Sequence, residues 1–162
     1  MSEIVNVYRE DMPAVRLCGL SYRDEDRKNG TFAHIWKEWF EKDVFIQITE
    51  IGPVLPAFVG CMRINSLNEQ EYWIGMFLKE GTTVPNYFEY IDIPASPIAT
   101  FWIKGKDSPE LYSHHADCMK ELEKNGWEIG SGWFFERYSP ERFCKPDENG
   151  EIILDYCICL DK

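Results

Sequence analysis

The order of apolar patterns repeats along this chain: strand, strand, helix, strand, strand, about each of two helical stretches. That repeat constrains the fold more than any single motif. The first helix is expected from Thr31 to about Lys42, where Phe32, Ile35, Trp36, Trp39 and Phe40 fall on one helical stripe. Asn29-Gly30 precedes it, and Thr31 can cap it. The second is expected from Pro109 to about Lys124, with stripe Leu111, His115, Cys118, Met119 and Leu122. Ser108 is a good N-cap, Pro109 suits the first helical position, and Asn125-Gly126 is a stop signal. Residues 44–51 read as a strand or as a further helical turn. Strands are expected at 3–9, 14–23, 57–64, 71–79, 87–93, 97–104, 132–138 and 151–160, with polar connectors at 65–70 and 139–150.

Met12-Pro13-Ala14 opens the strand before the first helix, and Ile93-Pro94-Ala95 opens the strand before the second. The two prolines stand 81 residues apart in a chain of 162. The simplest architecture is α+β. One domain, 1–162, holds two pseudo-symmetric halves of about 1–80 and 81–162 in a mainly antiparallel sheet. Two helices cover one face, and the other face is free to curve into a ligand groove at the junction.

Charge excludes some functions. With 28 acidic against 17 basic residues, the net charge is −11. Backbone binding of nucleic acid needs clustered Lys and Arg, and so does an anionic membrane surface. Neither direct nucleic acid nor membrane is an expected partner. The N-terminus shows no signal peptide, and no apolar run is long enough to span a bilayer. The cysteines Cys18, Cys61, Cys118, Cys144, Cys157 and Cys159 form no C-x-x-C pair and do not combine with His34, His114 or His115 at metal-ligand spacing. They read as buried thiols in a reducing cytoplasm. No metal and no cofactor is expected. His114-His115 is poorly placed to chelate one metal from a helix, and His115 reads as a core histidine. The acidic runs Glu69-Gln70-Glu71 and Asp147-Glu148 read as solvated turns.

Aromatic residues make up 15 % of the chain, more than two small helix–sheet cores need. The helix-borne Phe32, Trp36, Trp39 and Phe40 read as core. Trp73, Trp102 and Trp133 lie on strands and read as core or as groove wall. The most suggestive segment is GWEIGSGWFFERYSP, 126–140. Strand alternation puts Phe134, Glu136 and Tyr138 on one face, and Trp133, Phe135 and Arg137 on the other. A carboxylate among rings must be accounted for. Glu136 can sit at an exposed strand end. It can pair with a basic side chain or Tyr hydroxyls, or await a cationic ligand between aromatic walls. It can also be a general acid or base with a raised pKa. The chain has no G-x-S-x-G, G-x-G-x-x-G, P-loop or H-E-x-x-H motif.

Three segments, EYWIGMFL (71–78), IDIPASPIATFWIKG (91–105) and 126–140, together with a closing apolar strand, resemble the GyrI-like small-molecule-binding family, the AraC-type effector-binding domain. The resemblance covers nearly the whole chain and implies two strand–helix–strand–strand modules. It implies a groove for hydrophobic, often cationic, aromatic compounds, with Glu136 facing the positive charge and Phe134, Tyr138, Trp73, Trp102 and Trp133 as ligand-binding candidates. On this basis the chain is expected to sense or sequester drugs in the cytoplasm. The resemblance also allows a hydrolase that opens cyclopropane-containing DNA-alkylating compounds with Glu136 as catalytic general base. A third possibility is a gyrase-inhibitor-type interaction protein. No helix-turn-helix is attached, so a transcriptional role calls for a separate DNA-binding regulator as partner.

Overall fold

The computed structural model describes residues 1–161. Eight strands form: β1 (Glu3–Met12), β2 (Val15–Tyr22), β3 (Phe58–Ile64), β4 (Gln70–Lys79), β5 (Glu89–Ile93), β6 (Ser96–Gly105), β7 (Ile129–Tyr138) and β8 (Ile152–Leu160). The helices are α1 (Ala33–Glu41), α2 (Val44–Thr49) and α3 (His115–Lys124). The fold is α+β, and the strand pairs within each unit are antiparallel. None of the described helices is long and apolar enough to cross a membrane.

The chain divides into two compact units, and their boundaries fall at the two proline junctions rather than at mid-chain. One unit is continuous, Ala14–Pro94; the other joins Met1–Pro13 to Ala95–Lys162. The continuous unit carries strands in the order β3-β4-β2-β5, the discontinuous one β1-β6-β8-β7. In each, three strands around a helix are joined by one further strand at the edge: β5 beside β2, and β1 beside β6.

In the continuous unit, α1 and α2 cover one face of the sheet. Ile35, Trp39, Phe45 and Ile48 pack with Cys18, Tyr72, Ile74, Met76 and Leu78. Residues 44–51 thus open with a helix, not a strand. Asp43 breaks α1 from α2 by taking a left-handed conformation, φ 54°, which Asp tolerates better than most residues. Phe40 was expected in the core but is 51 % exposed. The break ends α1 one residue later, so the burial falls to Ile35 and Trp39.

In the discontinuous unit the expected second helix is split. A 3-10 turn at Pro109–Tyr112 comes first, and α3 starts only at His115. Polar bonds, one local and two to the distant Ser2, compete with a continuous helix there. Ser113 Oγ donates to the Glu110 carbonyl, the Glu110 carboxylate accepts from the Ser2 amide, and His114 Nε2 contacts Ser2 Oγ. α3 then buries Cys118 and Leu122.

Candidate functional site

Glu136 lies near the end of β7 and is 9 % exposed, so it is no solvated strand end. Tyr138 Oη donates to its Oε1 at 2.8 Å. Directly across the ladder on β8 stands Tyr156. The Tyr156 hydroxyl is 2.6 Å from His115 Nδ1, at the first turn of α3. The His115 ring is 5.3 Å from the Phe134 ring and 5.9 Å from Tyr156. Phe143 meets Tyr138 edge-on at 4.7 Å. The carboxyl therefore shares the α3 face of its sheet with Phe134, Tyr138 and Tyr156. Burial lifts it to about 7, against the opposing pull of the Tyr138 hydroxyl. It pairs with no basic side chain among the described residues. His115 is not a core residue: it is an exposed helix-start residue whose ring nitrogen is tied to Tyr156.

Arg137, one residue on, points the other way. That face carries Trp133, stacked on Phe135 at 5.7 Å, and Trp102, opposite Asp155 in the ladder. The Arg142 guanidinium lies 4.6 Å above the Trp102 ring, and Tyr8 meets that ring edge-on at 6.0 Å. Trp102 and Trp133 are thus on the opposite face from Glu136. Trp73 is in the other unit, where its Nε1 donates to Glu71 at 2.9 Å. Of the six residues named from sequence, the structure brings together Glu136, Phe134 and Tyr138. Tyr156 and His115 complete that cluster and were missed. Their signal was weak: a tyrosine amid the apolar ILDYCICL and a histidine on a helical stripe give no hint that they touch.

Two buried acids were also missed. Glu71 is no solvated turn residue but 7 % exposed, and Asp155 is fully buried. Each is clamped by arginines. Glu71 takes Arg63 Nε at 2.9 Å and Arg23 at 3.5 Å; Asp155 takes Arg142 Nε at 2.9 Å and Arg137 at 3.3 Å. Burial works against ionisation of Glu71, but hydrogen bonds from Trp73, Asn65 and Arg63 outweigh it and hold the carboxyl below its usual value.

The two clamps expose an internal duplication at residue level. Arg63 faces Glu71 across β3–β4, and Arg137 faces Asp155 across β7–β8. One step along, Met62 faces Tyr72, and Glu136 faces Tyr156. Both tyrosine hydroxyls are tied to a helix: Trp36 Nε1 donates to Tyr72 at 2.9 Å, as His115 meets Tyr156. A side chain at Gly60 would strike the Tyr72 hydroxyl at 2.6 Å and the Trp36 ring at 3.2 Å. The matching Phe134 stands where the partner is the smaller His115. The duplicated frame places methionine in one unit and a buried acid in the other.

Solved structures share this fold. A transcription regulation protein from Staphylococcus aureus MU50 superposes with TM-score 0.70 at 13 % identity, covering 97 % of this chain and 99 % of its own. SAV2435, solved bound to tetraphenylphosphonium, gives 0.72 at 13 %, covering 97 % and 94 %. A hydrolase from Listeria innocua gives 0.55 at 8 %, covering 96 % and 91 %. At these identities the likeness is one of fold. No family model and no curated protein matches the chain.

Proposed function

We propose that the chain is a GyrI-like small-molecule-binding protein that takes up hydrophobic aromatic cations, with Glu136 recognising the charge. One observation carries the reading: Glu136 is a buried carboxyl without a basic partner among the described residues, at a position the other unit fills with Met62. A fold that needs only an apolar side chain there gains nothing structural from burying an acid, which is unfavourable by several kcal/mol when unpaired. Phe134, Tyr138 and Tyr156 supply aromatic surface near the carboxyl, and rings attract cations. The tetraphenylphosphonium bound to SAV2435, a protein of the same fold, is a ligand of this class.

Tetraphenylphosphonium and its same-shaped anion, tetraphenylborate, provide the test, read by tryptophan fluorescence. The cation is expected to bind at least about tenfold more tightly, and Glu136→Gln to remove about that advantage. Equal binding of the two ions, or unchanged cation affinity in Glu136→Gln, rejects the reading.

A second reading is favoured by the Glu136 carboxyl standing near 7, where a general base is most effective. In it Glu136 deprotonates water that attacks a strained cyclopropane carbon, the ring bond breaks toward the electron-withdrawing side, and the proton passes to the product. Incubation with a cyclopropane-bearing alkylator is expected to give a ring-opened water adduct, about 10²–10⁴-fold less of it with Glu136→Gln. No turnover above that variant removes the reading.

A further inference from the structure

We infer that cation capture at Glu136 is an exchange, in which the ligand displaces a proton from the carboxyl, and that Tyr138 sets the pH of the exchange. The inference deepens the reading of Glu136 as charge recogniser and rests on it. The geometry that carries it is a buried carboxyl that accepts a hydrogen bond from a neutral donor, Tyr138 Oη at 2.8 Å. Among the described residues, no lysine or arginine pairs with it on this unit. On its own strand, Arg137 turns to the opposite face and binds Glu10 and Asp155 at 3.3 Å each. From β8 comes Tyr156, whose hydroxyl burial keeps protonated. From α3 come His115, engaged with Tyr156 through Nδ1, and Cys118, a thiol that burial pushes up to about 12. An unpaired acid in such surroundings keeps its proton to a higher pH than a solvated one does.

A permanent cation changes that balance. The ligand supplies the missing charge, the carboxyl ionises, and its proton leaves to solvent. Carboxylic acid plus cation becomes carboxylate–cation pair plus one proton. Below the carboxyl's free-site value, affinity therefore falls about tenfold for each pH unit; above it, affinity is flat. Burial places that break near 7. Tyr138 donates to the ionised form and holds the break down. Without its hydroxyl the empty site keeps its proton to higher pH, and cation affinity at neutral pH drops.

Tetraphenylphosphonium affinity is to be measured on the full chain from about pH 5 to about pH 9, with circular dichroism confirming the fold at each pH. Calorimetry in two buffers of different protonation enthalpy counts the protons released. The expected result is a slope near one below the break and one proton released there. Tyr138→Phe should move the break up by about one unit, an affinity loss of about fivefold at about pH 7 and about tenfold well below it. Glu136→Gln should abolish the slope, and His115→Gln should keep it. Tight binding with no slope and no proton release overturns the exchange while leaving the cation site standing. A slope that vanishes in His115→Gln, or a break unmoved by Tyr138→Phe, also overturns it. Absence of binding at every pH overturns both the site and the exchange.

Discussion

Burial lifts the Glu136 carboxyl from 4.5 to about 7, so the folded protein holds a proton there that the unfolded chain has already lost. Below the unfolded value both states are protonated, and the residue is neutral toward stability. As pH rises toward 7 only the unfolded chain ionises, so stability falls; above 7 the loss is complete. The shift corresponds to about 3 kcal/mol. Glu136→Gln is expected to raise the melting temperature by several degrees at about pH 8 and by much less at about pH 4. Glu136→Met, the residue its counterpart carries, should do the same. A gain of equal size at both pH values would show that burial of charge is not its source. Strand alternation in FFERY is enough to set Glu136 beside Phe134 and Tyr138, because a period of two leaves no other arrangement. The pairing of Glu136 with Tyr156 on β8, and the contact of Tyr156 with His115 on α3, were not legible, since they depend on which strands pair. Glu71 was misread for the same reason: in the run Glu69-Gln70-Glu71 the last residue already belongs to the ladder, opposite Arg63.

At the scale of the element, the paired acid–arginine clamps join neighbouring strands and extend beyond them. Asp155 on β8 holds Arg137 of β7 and Arg142 of the following loop, and Arg137 also reaches Glu10 on β1. Removing the acid leaves two arginines facing a buried gap, whereas removing Arg142 leaves Arg137 in place. Asp155→Ala is therefore expected to destabilise by about 3–5 kcal/mol, the scale for breaking a buried pair. Arg142→Ala, half-exposed and backed by Arg137, should be milder. Urea unfolding of both variants measures the order, and a larger loss for Arg142→Ala contradicts this account. All eight strands were legible, since each is a short apolar or alternating run between turn residues. The helix breaks were not. Asp43 adopts a positive φ without a glycine to announce it, and at the interruption before α3 Glu110 and His114 bond Ser2, more than a hundred residues away.

Across the whole chain, the proline-marked repeat was readable because both copies begin alike. The partnership of the leading strands was not, because β1 pairs with β6 and not with the strand that follows it. Its register runs from Glu3 opposite Lys104 to Met12 opposite Ser96, and Glu10 also accepts a hydrogen bond from Thr100. The N-terminal strand thus completes a unit whose remainder is 95–162. Deleting residues 1–12 strips the ladder partner from β6 and the Glu10 carboxylate from Arg137. The continuous unit, 14–94, keeps every strand and its own packed core. Amide hydrogen exchange of the truncated chain should therefore lose protection first at 96–105, then at 152–160 and 129–138, while 70–79 stays protected longest. Cation binding at Glu136 should weaken with it, although no deleted residue is among those placed around the carboxyl. Uniform loss of protection across both units would mean that they unfold as one cooperative body, and full retention at 96–105 would mean that β1 adds nothing to its unit.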